Sequence, residues 1–542
     1  MEILVDGKSL FGGSEQTIQK GEYRLSSFCI MSENGDGVLL CQTATGGLVL
    51  LSPEEYEQIC DGMALSEPWR KKLAELRFLC QCGADEYAEV DELRRRYYES
   101  TEEKDCITDY TILPTTRCNA RCFYCYEQGI PQKNMSRETA EAVAAYIIRM
   151  SKGRPVHLGW FGGEPTLGAE MISLICCKLR EKGAAYTSGI ISNGLLLDEQ
   201  MIRRAKEEWN VKNVQITLDG TAQVYQQVKN YKGNPKAPFH TVLSHIAVML
   251  EAELHVSVRI NLGLHNLEDV QHLITQLAQK FPGKRHLGIY VHKIDNYYPE
   301  EDRLQLLEWT AALNRKLVEL GLQKTPSLPA FRGHSCMADR ADSVVINPDG
   351  KLGKCEHYVV EKLHGAIDSD VCDVELCKAW RKKATFEQCR CCPLYPSCLQ
   401  LEWCNGGEYI CSEKLVEQKL GQIRENMGRT YQQWKKKIQN FRQKRFILTA
   451  PYRLRQAENR TEAVFGEGCS GRQIEPIPVN GTSIVILEVL RDGAAFQEIV
   501  QELEERYNAD MDQIRDSVGA YLRQLLDLGV CRFEIKEREK NE

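Results

Sequence analysis

Four features are missing from this sequence, and each absence excludes something. No apolar run approaches the ~20 residues that a membrane-spanning helix needs. The first residues, MEILVDGKSLFGG, lack the basic segment and apolar core of an export signal. There is no excess of positive charge. The 69 Lys and Arg stand against 76 Asp and Glu, a net charge of −7, whereas a general nucleic-acid binder is basic overall. Together these predict a cytoplasmic protein that partners neither membrane nor nucleic acid. The fourth absence is local. The stretch Arg117 to Gly129, RCNARCFYCYEQG, holds Cys118, Cys122 and Cys125 as C-x3-C-x2-C and supplies no fourth cysteine.

What is present makes that local absence informative. The 542 residues are 43% hydrophobic and 27% charged, an ordinary soluble composition with room for three to four domains of roughly 150 residues. In a reducing compartment the 23 cysteines favour metal or catalytic use over disulfides. Ten fall between Cys336 and Cys411, whereas Cys29, Cys41, Cys60, Cys176 and Cys531 sit in apolar surroundings and are expected to be small core residues. A structural zinc takes four ligands, so three closely spaced thiolates fall one short. They can instead hold three irons of a [4Fe–4S] cluster and leave the fourth open. On spacing alone, a zinc knuckle borrowing a distant ligand, or three unrelated thiols, stays open.

The chain around this stretch divides into five parts. Residues 1–105 carry β-forming stretches at Ser27 to Met31 and Gly37 to Leu51, split by the turn Glu33-Asn34-Gly35-Asp36. Ser52-Pro53-Glu54-Glu55 combines an N-cap serine, a proline at the first helical position and a glutamate three residues after the cap, which predicts a helix through Ile59. Two or three strands with helices make a winged-helix pattern. Residues 106–325 repeat strand then helix about six times, which predicts a parallel sheet in an incomplete (β/α) barrel. In such barrels chemistry sits at the C-terminal strand ends, and the motifs CNARCFYC, GGEP, SNG and LDG all fall there. Residues 326–415 are the cysteine-rich block. In residues 416–476, a helix over 412–447 carries eight basic residues and one acidic residue from Arg424 to Arg445, and Thr449 to Pro476 reads as a linker. Residues 477–542 predict three helices and a terminal strand, with Phe496, Ile499, Val500, Leu503 and Tyr507 on one helical face.

Taken together, C-x3-C-x-φ-C with aromatic Tyr124 at φ, followed one unit later by Gly162-Gly163-Glu164, resembles the radical S-adenosylmethionine (SAM) enzymes over roughly residues 108–295. The resemblance implies a cluster on Cys118, Cys122 and Cys125 whose open iron holds the methionine part of SAM, and a 5′-deoxyadenosyl radical that abstracts hydrogen from substrate. Tyr124, Gly162, Gly163, Glu164 and Asn193 would then surround the cofactor. Thr217 and Lys229 would contact SAM, with Lys229 standing where arginine is usual. The second block resembles the SPASM extension of peptide-modifying members. By analogy, Cys336, Cys355 and Cys404 serve one auxiliary [4Fe–4S] cluster, and Cys389, Cys392, Cys398 and Cys411 a second. The family usually has x3 before Cys404, where this chain has x5. An eighth ligand would be Cys372, Cys377 or Cys391, or one cluster keeps an open iron; two zinc ribbons are the bland alternative.

The C-terminal part, with NGTSIVILEVLRDG and YLRQLLDLGV, resembles PqqD-like peptide-recognition elements, and the N-terminal part more loosely resembles leader-binding wings. Such modules take an extended peptide as an added strand. The acidic residues Glu498, Glu502, Glu504 and Glu505 argue against a DNA-reading winged helix. The expectation is therefore an α/β protein: a partial (β/α)6 barrel of the radical SAM type, a cysteine-rich SPASM extension and winged-helix-like domains at both termini. It would crosslink a ribosomal precursor peptide through a thioether or carbon–carbon bond, with an electron donor such as ferredoxin or flavodoxin as partner. The alternatives are an anaerobic sulfatase-maturing, formylglycine-forming enzyme and a non-catalytic iron–sulfur redox sensor. No residue is singled out as general base.

Overall fold

The computed structural model describes residues 1–7, 23–60, 66–102, 106–294, 298–333, 336–369, 373, 377, 380, 387–398, 411–457, 460–466, 474–507 and 511–533. The chain forms two compact units, Met1–Gly428 and Arg429–Glu542.

The first unit begins with strands β1 (Glu2–Val5), β2 (Tyr23–Leu25), β3 (Cys29–Asn34), β4 (Gly37–Gln42) and β5 (Gly47–Leu51), helices α1 (Pro53–Cys60) and α2 (Glu67–Glu75), strand β6 (Leu79–Gln81) and helix α3 (Glu86–Glu102). An antiparallel sheet in the order β1-β5-β4-β3 packs Leu40, Val49, Leu51, Ile59, Leu73 and Phe78 into one core. β1 adds a strand to the two or three expected. The reciprocal cap at α1 forms as its sequence predicts: Ser52 N–H donates to Glu55 Oε2 at 2.8 Å, and Glu55 N–H donates to Ser52 Oγ at 3.1 Å. Cys60 departs from the expectation of a core residue. It is exposed, because α1 turns its last residue away from the core that holds Ile59. Cys41, Cys176 and Cys531 are buried as expected, and Cys29 is half-buried.

The strand–helix repeat then builds the α/β core: β7 (Asp109–Ile112), α4 (Arg137–Ser151), β8 (Val156–Trp160), α5 (Ala169–Glu181), β9 (Tyr186–Ser192), α6 (Glu199–Glu207), β10 (Val211–Leu218), α7 (Ala222–Lys229), α8 (Pro238–Glu251), β11 (His255–Leu262), α9 (Leu267–Lys280), β12 (Leu287–Lys293) and α10 (Glu300–Glu319). Strands β7 to β12 pair in parallel, in sequence order. Alternation decides the two faces. Val214, Ile216 and Leu218 on β10 and Val256, Val258, Ile260 and Leu262 on β11 are buried in the hydrophobic core. The residues between them, Gln215, Thr217, Arg259 and Asn261, face the interior of the curved sheet and line a cleft.

The sheet continues beyond the sixth strand in a way that the strand–helix count does not reveal. β13 (Ser343–Ile346) returns to pair in parallel with β7, and β14 (Lys351–Gly353) and β15 (Gly365–Ala366) extend the sheet antiparallel. Arg340 ties this addition to the first strand, donating to Asp109 Oδ2 at 2.9 Å and to Asp342 Oδ1 at 2.8 Å. Helix α11 (Glu413–Arg442) follows.

The second unit contains β16 (Arg445–Leu448), β17 (Tyr452–Ala457), β18 (Arg460–Phe465), β19 (Ile477–Val479), α12 (Gly481–Leu490), β20 (Ala494–Ala495), α13 (Phe496–Arg506), α14 (Met511–Asp527) and β21 (Cys531–Phe533). Phe496, Ile499, Val500 and Leu503 enter the core as their spacing predicts. Tyr507 does not. It is 39% exposed, at the point where the chain leaves the helix in an extended conformation. Two further corrections concern 442–479. The helix expected to run to 447 stops at Arg442, and Arg445–Leu448 pairs instead with β20 and β21. The expected linker, Thr449 to Pro476, holds strands β17 and β18, which form an antiparallel sheet with β19 just beyond it, and Ala463 and Phe465 are buried there.

The Asn480 side chain accepts the Ser483 amide at 2.8 Å and so caps α12. Asn480→Ala leaves that donor unpaired. Chemical denaturation is expected to show a loss of about 1 kcal/mol in the second unit, and an unchanged midpoint would show that the cap contributes nothing.

Among the described residues, no helix is long and apolar enough to cross a membrane.

Candidate iron–sulfur and SAM site

β7 delivers the chain at Leu113 into the loop that carries Cys118, Cys122 and Cys125, and the four strand-end motifs converge on it. All three cysteines line one cleft of about 330 Å³, together with Tyr124, Gly162, Gly163, Asn193, Thr217 and Lys229. The structure thus brings nine of the ten residues expected around the cluster and SAM to one place. The tenth, Glu164, lies behind it. Its carboxylate is fully buried and accepts from the Thr166 amide and hydroxyl, from Ser192 Oγ at 2.8 Å and from the Asn193 amide at 2.9 Å. Glu164 therefore braces the ends of β8 and β9.

The glycine pair has a local reason to be glycine. Gly162 has φ +115°, and a Cβ there would stand 2.3 Å from the Thr115 carbonyl oxygen; one on Gly163 would stand 2.3 Å from that of Arg117. The Gly163 amide donates to Thr115 O at 3.2 Å and the Glu164 amide to Arg117 O at 2.8 Å. The pair thus carries the cysteine loop on its backbone. Gly163→Ala must displace that loop. We expect a stability loss of about 1–3 kcal/mol and a lower iron content in the anaerobically purified protein. Full iron content in the variant would show that the close approach is dispensable.

Behind the cleft lies a buried ionic network centred on Asp219, the acid of the LDG motif. Tyr124 Oη donates to Asp219 Oδ1 at 2.6 Å, and Asn261 Nδ2 approaches Oδ1 at 3.1 Å. Lys229 Nζ lies 3.1 Å from Asp219 Oδ2 and donates to Thr217 Oγ1 at 2.8 Å. Asp219 and Lys229 are both buried, so each charge needs the other. Burial alone would push the Lys229 ammonium down. The Asp219 carboxylate, together with Tyr124, Cys122 and Tyr225, offsets this and holds it well above the usual lysine value. Thr217 and Lys229, each expected at SAM, are in direct contact with one another. Asp219, Asn261, Gln215 and Arg259 escaped the sequence reading as site residues. The signal available was their alternation on β10 and β11 with the buried residues.

The donor set fits a cluster. Burial pushes the Cys118 thiol up to about 12 and Cys125 to about 11, and raises Cys122, so these thiols become thiolates when metal takes the proton's place. Asn119 Nδ2, next to Cys118, is buried with no acceptor among the described residues, while its Oδ1 accepts from Asn193 Nδ2 at 2.7 Å. Among the described residues no three His, Cys, Asp or Glu side chains converge on a single metal ion. A cluster asks for something else, because its thiolates sit on separate irons. Glu127 also lines the cleft, and burial pushes its carboxyl up to about 7.

Residues 112–277 match the sequence model of the Radical SAM superfamily. The chain carries a radical SAM domain. Residues 475–530 match the model of Coenzyme PQQ synthesis protein D, so a PqqD domain follows it. The chain is similar to Fe-coproporphyrin III synthase of Methanosarcina barkeri, 28% identical over 169 residues, which are 31% of this chain and 40% of that protein. Uncharacterized protein MJ0907 of Methanocaldococcus jannaschii is 23% identical over 252 residues, 44% of this chain and 82% of its own. Among solved structures, anSMEcpe with bound AdoMet and Cp18Cys peptide overlaps 61% of this chain and 99% of its own, at 16% identity and a TM-score of 0.45. Streptococcus suis SuiB bound to precursor peptide SuiA overlaps 70% of this chain and 95% of its own, at 12% and 0.42.

The auxiliary block is placed in part. Cys389, Cys392, Cys398 and Cys411 line one further cavity of about 570 Å³, and Cys391 lines it too. A clamp from α3 fixes this segment. Tyr87 stacks on buried Tyr395 with ring centroids 4.2 Å apart, and Arg94 Nη2 donates to Tyr395 O at 2.6 Å. Cys355 follows β14, and its neighbours Glu356 and His357 line the radical SAM cleft, where His357 stacks on Tyr126 at 3.9 Å. Cys336 is exposed and Cys377 buried. Cys404 and Cys372 lie outside the described residues.

Proposed function

We propose that the protein is a radical SAM enzyme that modifies a ribosomally made precursor peptide, forming a thioether or carbon–carbon crosslink. The observation that carries this is the pairing, in one chain, of the three-cysteine cleft with a PqqD domain. Cys118, Cys122 and Cys125 would hold a [4Fe–4S] cluster that, with SAM, would supply one-electron reductive chemistry for hydrogen abstraction from the substrate. The chain's own residues do the positioning. Gly162 and Gly163 set the height of the cysteine loop. Thr217 and Lys229, which line the cleft, would contact SAM there. Asn193 donates to Asn119 within the loop, and Tyr124, held by Asp219 and Asn261, would offer an aromatic face to a flat base.

Cys389, Cys392, Cys398 and Cys411 would hold one auxiliary [4Fe–4S] cluster, and Cys336, Cys355 and Cys404 would serve another, accepting the substrate electron or binding a substrate thiolate. The PqqD domain, and by looser likeness residues 1–105, would take the leader as an added strand. A low-potential donor such as ferredoxin or flavodoxin would supply the electron.

Anaerobic purification is expected to give about twelve irons per chain, the content of three such clusters, and 5′-deoxyadenosine in the presence of SAM and reductant. A short Cys- or aromatic-rich peptide encoded beside this gene should then lose two hydrogens per crosslink. Zinc in place of iron would sink the proposal. Turnover on a sulfatase-derived peptide but not on a leader-bearing one would redirect it to formylglycine formation.

A further inference from the structure

Lys419 is the one cation among the described residues that line the second cysteine cavity. Ser412, just before α11, and Leu415, Val416 and Lys419 within it line the cavity at i, i+3, i+4 and i+7, so one side of that helix contributes to its wall. Three of these residues are uncharged; the fourth brings an ammonium. Lys419 is half-buried, and taking part of its charge out of water favours an ionic partner. Glu413 and Glu417 of α11 also line the cavity, but both are exposed, and among the described residues no carboxylate lies within ion-pair distance of Lys419. The groups that act on the Lys419 charge are Cys398, Cys411 and Cys392; burial pulls its pKa down and these three sulfurs oppose that. Neutral thiols give an ammonium nothing to pair with. Four thiolates around a cluster do, since they give it net negative charge that grows when an electron is added.

We propose that Lys419 is the counter-charge of an iron–sulfur cluster held by Cys389, Cys392, Cys398 and Cys411, and that it sets the potential at which that cluster takes up an electron. This rests on the auxiliary-cluster reading above. Reduction adds one negative charge and breaks no bond, so a fixed cation beside the sulfurs favours the reduced form, and net charge is one of the levers on such potentials. Lys419 is thus a positioning residue for charge and touches no substrate.

The test is an EPR-monitored redox titration of full-length C118A/C122A/C125A protein, purified anaerobically so that only auxiliary iron remains. The signal to follow is the one that Cys398→Ala abolishes. Lys419→Met is expected to shift its one-electron equilibrium toward the oxidised form about tenfold, a midpoint about 59 mV more negative, and Lys419→Arg to restore it. An unmoved midpoint in Lys419→Met, with iron retained, overturns the proposal and leaves the cluster standing. Absence of any Cys398-dependent signal overturns the cluster reading and the proposal with it. If Lys419→Met and Lys419→Gln both shed the cluster while Lys419→Arg keeps it, the counter-charge is confirmed by retention; shedding by all three overturns it.

Discussion

Cys122→Ala is expected to strip one cluster's worth of iron, about four atoms per chain, while leaving the fold intact. Cys122 is only half-buried, on a loop held by other residues: the Arg121 amide donates to Lys229 O at 2.8 Å, and Lys232 N–H donates to Asn119 O at 2.8 Å. Those bonds do not involve the thiol. Formation of 5′-deoxyadenosine should fall by more than about 100-fold, the upper end of the cost of losing even an outer partner of a metal ligand. Cys176→Ala is the matched control. Cys176 is fully buried in the core beside Ile172 and Leu179, far in role from the cleft. Its loss should cost about 1 kcal/mol of packing and no iron. Equal iron loss in the two variants would mean that the three cysteines are not ligands.

Lys229→Met is expected to have the largest effect on stability. It leaves the Asp219 carboxylate 1% exposed and facing no cation. Breaking a buried pair by removing one partner costs about 3–5 kcal/mol. Urea denaturation of the first unit should register that loss, and Lys229→Met combined with Asp219→Asn should recover part of it, because the uncompensated charge is then gone. If the double variant is no more stable than Lys229→Met alone, burial of the charge is not what the single change exposes. SAM binding should weaken in both variants, since Thr217 Oγ1 loses its donor.

The Asp219 network also shows where sequence reading succeeds and where it stops. Strand-end motifs could be placed because βα units repeat with a regular length, and each motif marks the point where a strand gives way to a loop. The side chains that reach the cleft from within β10 and β11 were harder to read. Gln215 and Arg259 look like surface polars until the curvature of the sheet makes their face an interior. Glu164 failed for the opposite reason. An acid next to a glycine pair suggests a ligand, and only the positions of Thr166, Ser192 and Asn193 reveal a carboxylate already filled with donors. The β17–β18 hairpin was invisible for want of apolar alternation. Arg453 to Gln456 of β17 are all exposed, three of them polar and the fourth Leu454, and on its partner Ala463 and Phe465 are the buried apolar residues. The clamp of Tyr87, Arg94 and Tyr395 joins residues about 300 positions apart, a distance over which local patterning carries no information.

The pairing of β13 with β7 has a consequence in time. Thr108 and Asp342, 234 residues apart, are joined across that seam. On the ribosome, at about 5–20 residues per second, the strand that feeds the cysteine loop therefore waits roughly 10–50 s for its outer neighbour. During that interval β7 presents an unpaired edge, the kind of surface that invites wrong partners. Iron delivered early would meet a half-built seat, so maturation of this cluster belongs late in synthesis or after release, and truncation before residue 343 should yield chains that aggregate.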